Sequence, residues 1–180
     1  GYSKNSEVNI YAFALSRWRF KGLREIEELQ AQALDLNTGV LLDLDKSWEL
    51  VNEARVNGTD WIAVRDEIQT EQLENAFAEC IDSLTDQFEK HRNERESENQ
   101  DRSDFQIGAA ERNRDRHLAG MEELAERYRA TGSRMLPAQL GKIEKLKASF
   151  AVRVEELKTK TTLTSHNEEI CCGVIKVYVQ

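Results

Sequence analysis

The sequence AERYRATGSRMLPAQLGKIEKLKASF, residues 125–150, decides the fold. It lies inside a charged span, residues 69–160, that consists mainly of helix-forming residues. Only here within the span do turn residues cluster with a proline, at residues 131–133 and Pro137. Apolar residues recur every three or four positions on both sides of this turn. The pattern predicts a long antiparallel helical hairpin, a coiled-coil-like arm.

Three apolar stripes define the helices of this hairpin. Two precede the turn, at residues 73–88 and 118–128, and the third follows it at residues 140–157. Residues 92–104, between the first two stripes, contain no large apolar residue, no Gly and no Pro. We therefore expect the first helix to continue through this segment with its side chains in solvent.

The rest of the chain predicts a small sheet. Residues 8–20 are rich in β-branched and aromatic residues and apolar on both faces, which favours a central strand. Residues 26–36 have two interpretations. Their propensity favours a helix. The following LNTGV, residues 36–40, instead resembles a hairpin turn with positive φ at its Asn and Gly, which favours a strand. We favour the strand, with residues 41–44 completing the hairpin. The final apolar run, residues 171–180, predicts a strand that rejoins the same sheet.

A short helix is predicted between the hairpin and the arm. Asp45 or Ser47 is expected to be its N-cap, and Gly58 lies just past its end. Trp61 and Ile62 are expected to be buried anchors at the foot of the arm.

Together these elements predict an α+β fold. Its base is a small antiparallel or mixed β-sheet formed by residues 1–66 and 166–180. The long antiparallel helical hairpin, residues 67–165, is inserted before the last strand.

Charge is distributed unevenly along the chain. The net charge of −8 argues against a protein that coats nucleic acid by bulk charge. Residues 41–100 carry sixteen acidic and six basic side chains, whereas residues 101–180 carry twelve acidic and fourteen basic ones. The distal arm is thus the candidate nucleic-acid or partner surface, unless pairs such as Glu123–Arg127 and Glu111–Arg114 neutralise it. The candidate contact residues are Arg112, Arg114, Arg116, Arg127, Arg129, Arg134, Lys142, Lys145 and Lys147.

The cysteines predict neither disulfides nor a metal site. Cys80, Cys171 and Cys172 are odd in number, which favours buried thiols in a reducing cytoplasm. His166 lies near the adjacent pair, but adjacent strand residues point to opposite faces, and no Cys-x-x-Cys pair is present. No run approaches the roughly 18 apolar residues of a membrane span.

No pattern in the chain predicts catalysis or a bound cofactor. A phosphate-binding loop, a dinucleotide fingerprint and a His-Glu-x-x-His motif are all absent from the sequence. The acidic pairs at residues 27–28 and 122–123 are neighbours in sequence, and such neighbours do not face each other. Trp18, flanked by Arg17 and Arg19, has two interpretations: it stacks a nucleic-acid base, or it closes the sheet core, which we favour.

The order of these pieces resembles the C-terminal region of bacterial Swi/Snf-type helicase-like ATPases, beyond their two motor lobes. The resemblance lies in the Arg/Trp-rich strand, ALDLNTG at residues 33–39, LGKIEKLKASFAVRVEELKTK at 140–160 and the terminal GVIKVYV. It covers most of the chain, but the family's ATP-binding and DNA-tracking motifs are absent from this sequence.

The resemblance implies a non-catalytic accessory domain. Its expected partners are the motor lobes of a parent ATPase and DNA or RNA, with no membrane partner. The chain begins at Gly1 rather than Met, which agrees with a fragment of a longer protein. The alternative is a free-standing structural or adaptor protein that forms a homodimer through the apolar stripes of its arm.

Overall fold

The protein has an α+β fold, as predicted, in a computed structural model that describes residues 7–179. Within these residues a four-stranded antiparallel sheet, in the order β3-β2-β1-β4, is combined with a long helical arm that precedes the last strand. The elements in chain order are β1 (Glu7–Lys21), β2 (Glu25–Asp35), β3 (Val40–Leu41), α1 (Leu44–Asn57), α2 (Val64–Glu67), α3 (Thr70–Ala130), α4 (Leu136–Thr159) and β4 (Thr164–Val179).

The described residues form two compact units. The first comprises the chain up to Phe20, residues 26–93 and the chain from Ser165 onward. The second comprises residues 21–25 and 94–164, and so contains the later part of α3 together with α4.

The core of the first unit forms where β1 packs against α3. Alternate β1 residues from Ala12 to Phe20 are buried, because strand side chains alternate between the two faces of a sheet. The rings of Trp18 and Phe20 lie 5.7 and 5.5 Å from that of Phe88 on α3, and Leu84, one turn earlier, is fully buried. The prediction that the first strand is central is confirmed, since β1 lies between β2 and β4.

Residues 26–36, for which the sequence allowed either a helix or a strand, lie almost entirely in a strand, β2. The backbone N–H of Leu36 donates to the carbonyl of Ile10 at 2.8 Å, so pairing with β1 overrides the local helix propensity. Gly39 takes a positive φ of 73° in the following turn, as predicted. Asn37 does not, contrary to the prediction; its side chain donates to the Val8 carbonyl at 3.1 Å.

The hairpin is shorter than predicted, because Asp43 already begins α1. The Asp43 side chain accepts a hydrogen bond from the Lys46 backbone at 2.8 Å, so neither Asp45 nor Ser47 is the N-cap. Ser47 is instead fully buried, and its hydroxyl accepts a hydrogen bond from the Ala33 backbone N–H at 3.0 Å. The Ser47 side chain thus satisfies a backbone N–H on the edge of β2, just beyond the point where β3 ends.

Residues 61 and 62, both predicted to be buried anchors, differ in their burial. Trp61 is half-buried, and the Nζ atom of Lys176 lies 4.7 Å from its ring centroid. Ile62 is 93% exposed, contrary to the prediction. Successive residues of an irregular turn point in different directions, so the burial of one does not imply the burial of the next.

The second unit contains the antiparallel hairpin that the sequence predicted. α3 runs without interruption through Gly108 and Gly120, and Gly132 takes a positive φ of 62° in the turn that follows. Leu140, which was expected in the apolar stripe, is 40% exposed. The preceding residue, Gln139, is buried in its place, and its side-chain amide donates to a backbone carbonyl of α3. Two contacts between the helices, His117 with Phe150 and Met121 with Gln139, have the order of an antiparallel pair. Ser103 contacts Thr161, just beyond the end of α4, in the same order.

A buried amide holds three segments of the second unit together. Asn99 is 7% exposed; its Oδ1 accepts from the Leu23 backbone at 2.9 Å, and its Nδ2 donates to the carbonyls of Lys160 and Thr161 at 3.0 and 2.6 Å. Ser103, one turn later, is also fully buried and bonds to Thr161. The expectation that residues 92–104 are wholly solvated is therefore wrong, because two polar side chains there have buried partners.

β4 pairs with β1 and ends the sheet. Arg17 and Phe13 lie on one face of β1, four residues apart, while their neighbours on β4, Glu168 and Gly173, are five residues apart. The adjacent cysteines of this interval are exposed, which corrects the expectation of buried thiols for them.

The buried Asn99 amide predicts a large loss of stability on its removal. We expect Asn99→Ala to lower the free energy of unfolding by about 3 kcal/mol, because the buried amide loses three hydrogen bonds and one N–H and two carbonyls lose this partner. Urea denaturation measures this change. Asn113→Ala, an exposed site on the same helix, is the matched control and should change stability by less than about 0.5 kcal/mol. Equal effects of the two substitutions would contradict the role of Asn99.

The cysteines predict a division in thiol reactivity. Burial raises the pKa of the Cys80 thiol to about 12, whereas Cys171 and Cys172 are exposed. We expect iodoacetamide at neutral pH to modify the two exposed thiols of the folded protein and to spare Cys80, as mass spectrometry of the peptides would show. In denaturant all three should react. Modification of Cys80 at the rate of Cys171 in the folded protein would contradict the packing of α3 on β1.

Candidate functional site

The nine basic residues predicted as a contact surface all lie in the second unit, and the structure divides them into two groups. Arg127 and Arg129 pair with Glu123 and Glu126, one turn earlier on the same helix. The Glu123–Arg127 pair was predicted, whereas Arg114 pairs with Asp115 at 2.9 Å rather than with Glu111. Lys147 lies 3.8 Å from Glu144. Within residues 7–179, five show no hydrogen bond or ion pair from the side chain: Arg112, Arg116, Arg134, Lys142 and Lys145.

Three of the unpaired cations of α4 share one side of the helix. Gln139, Ile143 and Phe150 are buried against α3. At about 100° per residue, Lys142 falls about 60° from Gln139 at the edge of this stripe, and Lys145 lies about 60° further round on the same side. Arg153 follows Lys142 by eleven residues, about three helical turns, and falls on the same flank. We call Lys142, Lys145 and Arg153 the α4 basic face.

Arg153 was missed because the candidate residues were chosen by clustering in sequence. Its side chain is exposed, and within the described part of the chain it has no carboxylate partner. Spacing by whole helical turns from Lys142 would have identified it. Glu156 follows on the same flank and limits the basic face at its C-terminal end.

The charge balance of α4 supports this assignment. Within its bounds α4 carries five basic and three acidic side chains, although the whole chain has a net charge of −8. The paired α3 arginines offer a partner less net positive charge, because each already faces a carboxylate. The unpaired cations of the α4 basic face are therefore the strongest candidate for an anionic partner.

A cleft between α3 and α4 is a weaker candidate for anion binding. Its volume is about 610 Å³, and Leu118, Phe150 and Val154 form its apolar floor. The rim carries three cations and three carboxylates, so the cleft has no excess of positive charge. The charged rim residues are Glu111, Arg114, Asp115, Lys147, Glu155 and Lys158.

The arginines beside Trp18 on β1 are committed to a structural cluster. Glu168 accepts hydrogen bonds from Arg17 and Arg19 at 2.6 and 3.0 Å, and the bond from Arg17 lowers the pKa of the Glu168 carboxyl. The same bond raises the pKa of Arg17. Trp18 itself is fully buried, so of its two interpretations the structure bears out core packing. A base cannot stack on a ring with no exposed surface.

Metal-binding side chains are not brought together in the part of the chain that the structure describes. Within residues 7–179, no three His, Cys, Asp or Glu side chains are placed to hold a metal ion. Among the same residues, no helix combines the length and apolar character needed to cross a membrane.

Function is inferred here from the residues, their geometry and the order of the elements. Comparisons of the chain with protein-family models, with curated proteins and with solved structures find no significant match.

Proposed function

We propose that this chain is a non-catalytic accessory domain of a nucleic-acid-dependent, Swi/Snf-type helicase-like ATPase, and that its helical arm contacts nucleic acid. The observation that carries the contact is the α4 basic face, whose Lys142, Lys145 and Arg153 are exposed and have no carboxylate partner among the described residues. The link to a motor rests on the resemblance in the order of the elements.

The physical basis of this contact is electrostatic. Nucleic-acid phosphates need no enclosed pocket, because cations that neutralise them release condensed counterions and gain affinity from that release. The three side chains span eleven residues of α4, about 16 Å along the helix axis. This length suits a row of phosphates rather than one small anion. Such contacts position a domain on a duplex and carry no sequence information.

A second function is favoured by a different observation. Met135, Leu140 and Val152 of the second unit are 54, 40 and 61% exposed, so the hairpin carries apolar surface that a second copy could cover. Under this alternative the chain is an adaptor that dimerises through its arm. Sedimentation equilibrium distinguishes the two: a monomer at every micromolar concentration removes the adaptor, whereas a concentration-dependent dimer supports it.

The connection to a motor has its own test. We expect the natural reading frame that encodes this chain to encode motor lobes as well, and the arm's cations to affect the nucleic-acid-stimulated ATPase rate of that protein. A frame without motor motifs would remove this part of the proposal and leave the nucleic-acid contact to be judged separately.

The α4 basic face predicts salt-dependent binding. We expect the triple variant Lys142→Gln, Lys145→Gln, Arg153→Gln to lower the affinity for duplex DNA or RNA about tenfold or more at low salt. The slope of log affinity against log salt should become shallower by about three, roughly one for each lost phosphate contact. Fluorescence anisotropy with a labelled duplex, between about 50 and 200 mM salt, measures both effects.

A matched control removes the same charge elsewhere. Arg127→Gln, Arg129→Gln, Lys147→Gln also deletes three cations, but each of these has a carboxylate neighbour. We expect a much smaller change in affinity and slope from this control. If the two triple variants weaken binding equally, net charge rather than the α4 basic face governs binding. If the unaltered protein shows no salt-dependent binding, the proposed contact is wrong.

A further inference from the structure

An exposed aromatic ring lies beside two unpaired arginines in the second unit. Phe105 of α3 is 71% exposed, although a phenyl ring gains free energy from burial. It lines an open cleft of about 460 Å³ where the turn between β1 and β2 meets α3. The lining residues are Leu23, Arg24, Asp101, Arg102, Phe105 and Gln106.

The arginines of this cleft are available to a ligand. Across residues 7–179, neither Arg24 nor Arg102 makes a hydrogen bond or an ion pair through its side chain. Arg102 precedes Phe105 by three residues, so the two lie on the same side of α3. Asp101 is the acidic residue of the cleft, which leaves an excess of one positive charge.

The cleft is built on a fixed backbone. The Leu23 backbone N–H donates to Asn99 Oδ1 at 2.9 Å, and a Cβ atom at Gly22 would lie 2.4 Å from that same oxygen. Close packing thus holds the residue before Arg24 against Asn99 of α3, which precedes Phe105 by six residues. A site whose walls are already ordered loses less entropy when a ligand binds.

The chemistry of the cleft favours a nucleic-acid base over a protein side chain. Protein hot spots place an aromatic anchor among other apolar groups that exclude water, whereas Leu23 is the one aliphatic neighbour lining this cleft. A base needs only one aromatic face, and adjacent guanidinium groups both stack and hold phosphate.

We propose that this cleft binds single-stranded nucleic acid, with one base stacked on Phe105 and a flanking phosphate held by Arg24 and Arg102. The inference shares with the proposed function the premise that the chain binds nucleic acid, but it concerns a second site and another form of the ligand. Bases of an intact duplex are stacked on each other, so duplex binding at the α4 basic face does not need Phe105.

The test compares the two forms of ligand on the whole chain. We expect Phe105→Ala to weaken the binding of short labelled oligothymidylate or oligouridylate roughly tenfold or more, and to leave duplex affinity unchanged. Phe105→Trp should retain or increase single-strand affinity, because the larger ring stacks more surface. Arg102→Gln should make the salt dependence of single-strand binding shallower by about one. Circular dichroism should show that the exposed ring is dispensable for folding.

The matched control is Val152→Ala, which trims another exposed apolar side chain of the same unit, 61% exposed against 71% for Phe105. If Phe105→Ala changes single-strand binding no more than Val152→Ala does, the inference is wrong. It is also wrong if Phe105→Ala alters self-association instead, because the ring is then a protein contact. A third result would reject this site alone and leave the proposed function intact: duplex binding depends on the α4 basic face, but single-strand binding does not change when Phe105 is replaced. If neither form of nucleic acid binds, both proposals fail.

Discussion

The second unit depends on one buried amide in the most polar part of α3. A helix that ends leaves backbone carbonyls without partners, and a chain that turns tightly leaves amides without partners. Asn99 satisfies one group of the β1–β2 turn and two carbonyls where α4 ends. An apolar side chain at this position would leave all three groups without this partner at a partly buried site, which costs more than the apolar contact gains. The polar side chain is therefore a structural requirement, and its bonds fix where the turn lies along α3.

The sequence predicts the elements of this fold better than it predicts their contacts. β1 is predicted from its β-branched and aromatic residues, and α3 and α4 from apolar residues that repeat at the period of a helix. Both signals are local properties of the sequence. Asn99 was assigned to solvent because polar residues are usually exposed. Its partners Lys160 and Thr161 are 61 and 62 residues away, and no periodicity reports a bond over that separation. Gln139 was overlooked in the same way, since its burial and its hydrogen bond to the Met121 carbonyl follow from the helix pairing.

In the candidate contact surface, too, interactions between near neighbours in sequence are predictable, whereas groupings that depend on packing are not. The pairing of Arg127 with Glu123 was predictable from their spacing of four residues, and the structure contains it. Arg153 was not selected, because sequence clustering does not distinguish one helix flank from another. The buried stripe of α4 makes the distinction: once Ile143 and Phe150 define the inner side, Lys142 and Arg153 necessarily share a flank. Packing thus selects which of many cations can act together.

The net negative charge of the chain does not prevent an anion from binding at either proposed site. Ions screen interactions between exposed charges beyond about 10 Å at 0.1 M salt, so a cation responds mainly to its immediate neighbours. The carboxylates that matter are Glu156 beside the α4 basic face and Asp101 in the cleft of Phe105, and at each site cations outnumber them. A net charge of −8 still acts at longer range, by slowing the approach of a polyanion at low salt. Affinity then depends on the arrangement of a few side chains, and specificity on whether bases are stacked on each other or are free to stack on protein.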